Sequence, residues 1–153
     1  MVARDGDGWI QCNCGSKHWG LHGAAGILLI RGSQILLQHR APWVHNGDTW
    51  GIPGGARDSH ETILEGALRE AVEEIGIDPT LVEPLENFVD DHGNWSYTTV
   101  IARAPEDLVA RELNDESHEV KWVEIQDVTR LPLHPSFENT WQQVEKIISS
   151  NLH

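Results

Sequence analysis

Three glutamates occupy neighbouring positions in the middle of the chain, at Glu70, Glu73 and Glu74. Residues three and four apart lie on one face of an α-helix, so this spacing would gather three carboxylates into one patch. Such a patch repels itself, and a bound cation would relieve the repulsion. Hard cations such as Mg²⁺ and Mn²⁺ prefer carboxylate oxygens and bridge them to substrate phosphates. The spacing therefore indicates a divalent-metal site, with an ordinary solvated acidic helix face as the alternative.

The segment around the three glutamates is typical of a helix. Asp58 and Glu61 have the spacing of a capping box, and Gly76 supplies a stop. We therefore expect a helix over residues 60–75, with the glutamates beside its apolar stripe rather than opposite it. The apolar residues that recur at helical spacing are Leu64, Ala67, Leu68, Ala71 and Ile75.

Runs of apolar and β-branched residues predict strands on both sides of this helix. The predicted strands cover residues 24–30, 34–39, 85–91, 95–102 and 120–125, and a closing helix is predicted over residues 137–148. Residues 50–56 should form a Gly-rich bend between the second strand and the first helix. Strands interspersed with two helices predict an α/β or α+β fold in which the helices cover the faces of a sheet.

The composition limits the partners that the protein can have. The chain of 153 residues has 11 Lys plus Arg against 24 Asp plus Glu, a net charge of −13 with His neutral. This charge should repel polymeric nucleic acids and anionic membranes. Residues 1–8 lack the apolar core of a signal peptide, and no run approaches the ~20 apolar residues of a membrane span. We expect one domain in the cytoplasm, where Cys12 and Cys14 would stay reduced.

The predicted helix and the residues before it resemble the Nudix box, the sequence signature of the Nudix hydrolases. Residues 50–55 also resemble the strand that enters the box in that family, and residues 120–123 resemble a later strand. The resemblance covers roughly residues 21–148, so we expect a Nudix domain over residues 21–153, after an N-terminal extension or edge strand at residues 1–20. The matching box positions are Gly55, Glu61, Arg69, Glu70, Ala71, Glu73, Glu74, Gly76 and Ile77.

The resemblance implies an α/β/α sandwich around a mixed central β-sheet, and it implies roles for the box residues. The implied ligands of Mg²⁺ or Mn²⁺ are the side chains of Glu70, Glu73 and Glu74 and the backbone carbonyl of Gly54. Arg69 would orient a box carboxylate, with Glu61 as one candidate partner. Glu73 would join Arg69 and Glu70 in the catalytic group.

The catalytic base varies among Nudix hydrolases, so two positions for it stay open. Glu70 is the candidate within the box. The acidic segment over residues 114–119 corresponds to the loop that carries the base in other relatives, which makes Glu116 and Glu119 the candidates outside the box. Loop residues of this kind are also common as plain surface charges.

The resemblance also implies a small nucleotide as substrate. Trp43, Trp95 and Tyr97 are candidates for the base pocket, because aromatic side chains stack on nucleobases. The short chain most resembles the MutT-like group, so we expect hydrolysis of a nucleoside triphosphate, including oxidised ones, to a nucleoside monophosphate and pyrophosphate. A nucleoside diphosphate linked to another group, as in ADP-ribose, a nucleotide sugar or a dinucleoside polyphosphate, is the first alternative. A non-catalytic nucleotide-binding module is the second.

A further group of potential metal ligands lies near the N-terminus, at Cys12, Cys14, His18 and His22. These could bind a structural zinc ion, and some Nudix relatives carry a zinc ribbon before the domain. Those ribbons use two Cys pairs with two residues between partners, whereas this chain has one Cys-x-Cys pair and two His. The spacing therefore favours buried or turn-forming cysteines. A homodimer is expected by analogy with relatives alone.

Overall fold

The computed structural model describes residues 4–113 and 117–151. Nine strands and two helices follow one another along this part of the chain, with short 3-10 turns at Pro79–Leu81 and Ile125–Arg130. The strands are β1 (Trp9–Gln11), β2 (Lys17–Trp19), β3 (Ala24–Arg31), β4 (Gln34–Arg40), β5 (Trp50–Gly51), β6 (Gly54–Ala56), β7 (Glu83–Asp91), β8 (Ser96–Arg103) and β9 (Ser117–Glu124). The helices are α1 (Ile63–Ile75) and α2 (Pro135–Asn151).

Seven of the strands form one mixed sheet, and β1 and β2 form a separate hairpin. The order of the large sheet is β5-β4-β3-β8-β7, with β6 pairing with β3 and β9 pairing with β4. β3 and β8 run parallel, from Ala24 opposite Tyr97 to Ile30 opposite Arg103. The other neighbouring pairs are antiparallel. The short strand β6 therefore lies directly beside the buried middle of the sheet.

The alternation of side chains along β3 explains why both faces of the sheet are covered. Successive residues of a strand point to opposite faces. Ala25, Ile27 and Leu29 belong to the apolar cluster under α1, whereas Leu28 and Ile30 belong to the cluster under α2. The fold is an α/β/α sandwich, as expected. The helices contribute Ala67, Ala71 and Ile75 from α1 and Phe137, Trp141, Val144 and Ile148 from α2.

The start of α1 differs from the prediction. The helix begins at Ile63, and its capping box joins Thr62 to Glu65 rather than Asp58 to Glu61. Asp58 is buried, and its carboxylate accepts a hydrogen bond from the backbone N–H of Gly6. Because Asp58 is engaged in this long-range contact, the helix starts one turn later, at the next residue pair with capping-box spacing.

The other predicted elements are confirmed, with ends that shift by a few residues. The Gly-rich bend at residues 50–56 contains two short strands, β5 and β6. The described part of residues 1–20 folds into the β1–β2 hairpin, outside the large sheet. Neither described helix has the length and apolar character to cross a bilayer.

Candidate functional site

Two box glutamates of α1 lie against strand β6. The backbone N–H of Gly54 donates to Glu74 Oε2 at 3.1 Å. A Cβ atom on Gly55 would lie only 2.7 Å from the carboxyl carbon of Glu70 and 2.8 Å from its Oε1. A side chain at position 55 would therefore collide with the Glu70 carboxylate. The absence of a side chain at Gly55 thus lets the Glu70 carboxylate approach the backbone of β6.

Glu74 is held by two groups. Gln38 Nε2 donates to its Oε1 at 3.2 Å, the N–H of Gly54 donates to its other oxygen, and its carboxyl lies beside that of Glu70. Burial, followed by the negative charge of Glu70, holds the pKa of Glu74 well above its usual range. Burial also raises the pKa of Glu70, although the charge of Arg69 opposes this shift. Two carboxyl groups in contact and away from water are stabilised as anions by a bound cation.

This donor set fits a hard divalent cation. Carboxylate oxygens are the ligands that Mg²⁺ and Mn²⁺ prefer, and the Glu70–Glu74 pair has an unfavourable charge that such an ion would neutralise. Glu73 contacts two arginines: its carboxylate accepts from Arg4 at 2.5 Å and lies 3.7 Å from Nη1 of Arg69, and its side chain is 44% exposed. The structure thus brings together Glu70 and Glu74 from the predicted ligand set and leaves Glu73 at the rim.

Arg69 connects the helix to the segment before it. Its guanidinium donates to both carboxylate oxygens of Glu61 at 2.6 and 2.9 Å, to Glu70 Oε1 at 2.9 Å and to the carbonyl of Ala56 at 3.0 Å. These bonds show the expected contact between Arg69 and Glu61. The hydrogen bonds from Arg69 lower the pKa of Glu61 to about 2. Arg69 is therefore placed to fix the position of the Glu70 carboxylate.

A cleft of 430 Å³ opens beside Gly54 and Gly55. Its walls come from the N-terminal hairpin, the loop between β4 and β5, the β7–β8 pair and the start of α2. The aromatic side chains in the lining are Trp9, His18, Trp19, His45, Phe88, His92, Trp95, Tyr97, His134 and Phe137. Lys17 and Arg40 add positive charge. The cleft offers aromatic surface and cations close to the carboxylate pair.

Of the three candidates for the base pocket, Trp95 and Tyr97 line this cleft. Trp43 does not line it: the side chain is 67% exposed, and its ring meets His118 edge to face at 5.5 Å. Burial raises the pKa of the Tyr97 hydroxyl, and the charges of Glu74 and Glu70 raise it further. Tyr97 is therefore neutral at physiological pH and lies close to the carboxylate pair.

The structure describes one of the two candidates for a base outside the box. Glu119 is exposed on β9, opposite His39 of β4. Glu116 lies outside the described residues. Ser117 is buried and accepts a hydrogen bond from Gln38 Nε2, the same group that holds Glu74. The start of β9 is thereby linked to the carboxylate pair.

Gln38 and His134 are site residues that the sequence analysis missed. Gln38 is 6% exposed and directly follows the apolar run of β4, a signal that could have marked it as a partner of a buried polar group. Burial, followed by the charge of Arg40, lowers the pKa of His134 to about 4. No local pattern distinguishes His134, because α2 brings it to the cleft from a distant part of the chain.

The N-terminal cysteines and histidines are arranged differently from the predicted group. Cys12, Cys14 and His18 come together, but the fourth member is His92 rather than His22. His22 is exposed, and its carbonyl accepts from Arg57. Both cysteines are free, and hydrogen bonds from Cys12 and His18 lower the pKa of Cys14 to about 6. The predicted role of His22 in this group is therefore wrong, since the turn after β7 supplies His92 instead.

Comparison with known proteins gives a consistent result. The sequence model of the NUDIX domain matches residues 20–143. A putative 8-oxo-dGTP diphosphatase 3 from Mycobacterium tuberculosis is 46% identical over 155 aligned positions, which cover 94% of this chain and 71% of that protein. A nucleoside triphosphate pyrophosphatase/Nudix hydrolase fusion protein from Bifidobacterium longum is also 46% identical, over 92% of this chain but only 31% of its own length.

A solved structure agrees with the fold. The crystal structure of a Nudix hydrolase from M. smegmatis, RenU, superposes with a TM-score of 0.87 at 42% sequence identity. The match covers 95% of this chain and 96% of that one, so it includes the N-terminal hairpin as well as the sandwich.

Proposed function

Because the chain belongs to the Nudix family of hydrolases, we propose that it hydrolyses a diphosphate linkage in a nucleoside triphosphate, giving a nucleoside monophosphate and pyrophosphate. Oxidised purine deoxynucleotides such as 8-oxo-dGTP are the first substrates to test, since the M. tuberculosis relative carries that name at 46% identity. The single observation that carries the proposal is the partly buried Glu70–Glu74 carboxyl pair beside Gly54 and Gly55, at the edge of an aromatic cleft.

The proposed Mg²⁺ or Mn²⁺ ions would be held by Glu70 and Glu74, with Glu73 and the carbonyl of Gly54 as further ligands. When bound, such ions neutralise the charge of a diphosphate and lower the pKa of an attacking water. Gln38 and the N–H of Gly54 fix the Glu74 carboxylate, and Arg69 fixes that of Glu70. The chain thus positions its two central carboxylates before any substrate binds.

In the proposed reaction, water attacks one phosphorus of the diphosphate and the bridging P–O bond breaks. The oxygen of the leaving pyrophosphate takes the bond electrons, and a carboxylate accepts the proton of the water. Glu70 is the base candidate closest to the backbone of β6, and Glu116 and Glu119 remain candidates from the β9 side. Comparing the kinetics of a variant at Glu70 with those of variants at Glu116 and Glu119 would therefore identify the base.

Substrate binding would use the cleft in two halves. Arg40 and Lys17 would contact phosphate oxygens that extend beyond the carboxylate pair. The nucleobase would pack among the aromatic side chains of the lining, which include Trp95 and Tyr97. A volume of 430 Å³ falls in the range of small-molecule pockets and accommodates a nucleotide.

The decisive experiment is a product-resolved hydrolysis screen with Mg²⁺ and separately Mn²⁺, over normal and oxidised nucleoside triphosphates, ADP-ribose, nucleotide sugars and dinucleoside polyphosphates. Metal-dependent release of pyrophosphate and a monophosphate would support the proposal. Turnover of only the linked nucleoside diphosphates would replace it by the alternative substrate class. Tight nucleotide binding without turnover would indicate a binding module.

We also propose that the protein acts in the cytoplasm, because free Cys12 and Cys14 fit a reducing compartment. The net charge of −13 supports small nucleotides over polymeric nucleic acids as partners. A homodimer remains a proposal from analogy, which light scattering on the purified protein would test.

A further inference from the structure

Four potential metal ligands from two distant segments meet at one end of the cleft. Cys12, Cys14 and His18 belong to the β1–β2 hairpin, and His92 lies in the turn between β7 and β8. One ligand atom from each of the four lies within 4.8 Å of the other three. Within this group, Cys14 Sγ is 3.1 Å from His18 Nε2. Two thiols and two imidazoles this close to one another form a potential metal-binding site.

We propose that Cys12, Cys14, His18 and His92 bind one structural Zn²⁺ ion, which fastens the N-terminal hairpin to the β7–β8 turn. Two Cys and two His form one of the regular tetrahedral ligand sets of zinc. With Zn–S near 2.3 Å and Zn–N near 2.0–2.1 Å, tetrahedral ligand atoms lie about 3.3–3.8 Å apart. The four side chains therefore need only small rotamer adjustments to close around an ion.

The surroundings of the four ligands have the outer contacts that zinc-binding histidines use. Asp90 Oδ2 lies 2.9 Å from Nε2 of His92, and a carboxylate on one ring nitrogen orients the ring of a metal-bound histidine. This contact leaves Nδ1 of His92 as the ligand atom. The His18 ring stacks on the indole of Trp95, with centroids 4.1 Å apart and planes 9° from parallel. Both imidazoles are thus oriented by their neighbours.

The geometry favours a structural ion over a catalytic one. Four protein ligands fill the coordination sphere of zinc, whereas catalytic sites keep one position for water or substrate. Cys12 is only 4% exposed, so one side of the group is closed to solvent. The site is also separate from the Glu70–Glu74 pair, since it shares no residue with it.

A zinc ion at this position would also fix part of the substrate cleft. His18, His92 and Trp95 belong to the cleft lining, as do Trp9 and Trp19 of the same hairpin. Without the ion, the hairpin would be held to the β7–β8 turn by a few hydrogen bonds, such as that from the Asn13 N–H to Asn94 Oδ1. Loss of zinc should therefore loosen one wall of the cleft and leave the box helix folded.

Metal analysis of the full chain tests this proposal without relying on enzyme activity. The protein is expressed with added zinc, purified without an affinity metal, dialysed against a weak chelator and analysed by mass spectrometry for zinc per chain. About one equivalent is expected in the wild type and in the control variant His22→Ala. Cys14→Ser and His92→Ala should each lose most of it. Less than a tenth of an equivalent in the wild type, or equal losses in His22→Ala and His92→Ala, would overturn the proposal.

Cobalt substitution provides an independent readout if the variants fold poorly. The wild-type protein with Co²⁺ in place of zinc should show the intense visible bands of a tetrahedral site and a thiolate charge-transfer band in the near ultraviolet. Proteolysis of the metal-free protein should cut first within residues 4–23, and added Zn²⁺ should protect that segment. An octahedral Co²⁺ spectrum, or a mass that shows a Cys12–Cys14 disulfide in protein purified without oxidant, would contradict the zinc site.

Discussion

The carboxylate of Glu70 lies directly over the α-carbon of Gly55, so closely that a methyl group at position 55 would be 2.7 Å from the Glu70 carboxyl carbon. This contact joins the loop before α1 to the helix at the point where the metal is proposed to bind. Gly54 has a different restriction, because a Cβ there would be 2.7 Å from both the carbonyl oxygen of Ala25 and the Cα of Gly26. The two adjacent glycines therefore differ in what a new methyl group would meet, which is the Glu70 carboxylate at position 55 and backbone together with the Tyr97 hydroxyl at position 54.

Gly55→Ala should lower activity with little effect on stability. The new methyl group meets the flexible end of Glu70, which can swing aside, so the free energy of unfolding should change by less than about 1 kcal/mol. The displaced carboxylate should reduce kcat at least about tenfold, the equivalent of roughly 1.4 kcal/mol. Steady-state kinetics and urea denaturation measure the two effects.

Gly54→Ala is the matched comparison, and it should be the less stable of the two proteins because its methyl group meets backbone. An equal loss of stability in both variants would show that the new methyl group at position 55 meets more than the flexible end of Glu70.

Glu74→Gln should reduce kcat by about 10²–10³-fold, the scale of losing one preorganised charged group. The same change should alter the melting temperature of the metal-free protein little, because the gain from removing a like-charged neighbour of Glu70 is offset by an amide nitrogen that faces the N–H of Gly54 or of Gln38. Mg²⁺ should then stabilise the variant less than the wild type. Thermal melts with EDTA and with Mg²⁺ measure this difference.

Glu86→Gln is the control for that experiment, since Glu86 is exposed on β7 and should respond to Mg²⁺ like the wild type. Wild-type turnover by Glu74→Gln would refute the assignment of Glu74 to the metal.

Arg69→Lys should destabilise the protein by about 1–3 kcal/mol, because lysine keeps the charge but loses the fork that binds both oxygens of Glu61. The pair is largely shielded, with side-chain exposures of 16% for Arg69 and 9% for Glu61. Arg69→Gln should cost more, on the order of 3 kcal/mol, since the shielded Glu61 carboxylate would lose its cationic partner and keep the hydrogen bond from the Asp58 N–H.

Arg103→Lys serves as the control for a surface ion pair. Arg103 lies 3.4 Å from Glu83, and their side chains are 48% and 64% exposed. Its denaturation midpoint should move by the equivalent of less than about 1 kcal/mol. A similar shift for Arg69→Lys and Arg103→Lys would show that the Arg69 network adds no stability of its own.

The stability of the wild type should fall between pH 6.5 and pH 4 partly through His134. Burial and the charge of Arg40 lower its pKa from 6.5 to about 4, so in this window the unfolded chain binds a proton that the folded protein excludes. The contribution is fully present above pH 6.5 and is lost as the pH falls. Urea denaturation at several pH values should show a shallower fall for His134→Gln, by on the order of 1 kcal/mol after allowance for solvent screening.

His60→Gln is the control variant, because it removes a histidine at an exposed position before α1. Parallel stability curves for His134→Gln and the wild type across this window would show that His134 does not contribute.

Local patterns are sufficient to predict α1 and a sheet with helices on its faces, whereas the sandwich and the contact of Arg69 with Glu61 follow from the resemblance to the Nudix family. They succeed because the apolar period of α1 and the continuous apolar run of β3 report directly which faces are buried. The start of α1 was placed too early, because Asp58 bonds to Gly6, and no sequence window contains both residues. Capping preferences compete with such contacts and cannot reveal them in advance.

Long-range geometry also explains the remaining differences at the site. The β7–β8 turn brings His92 to Cys12 across 80 positions, so a search of neighbouring residues selected His22 instead. Gln38 was overlooked because its role depends on Glu74, which lies 36 positions away. Trp43 resembled a cleft residue by its place in the chain, but the loop between β4 and β5 turns its ring outward toward His118.

The parallel pairing of β3 with β8 has a consequence for how quickly the chain can fold. The two strands are adjacent in the sheet, yet β4, β5, β6, α1 and β7 all lie between them in the sequence. Closing so long a loop loses much chain entropy before the pair gains any contact, and such non-local topologies fold slowly. The apolar strand β3 therefore stays unpaired with β8 during synthesis and can contact other chains. We expect aggregation of this protein to begin from chains in which β3 and β8 have not yet paired.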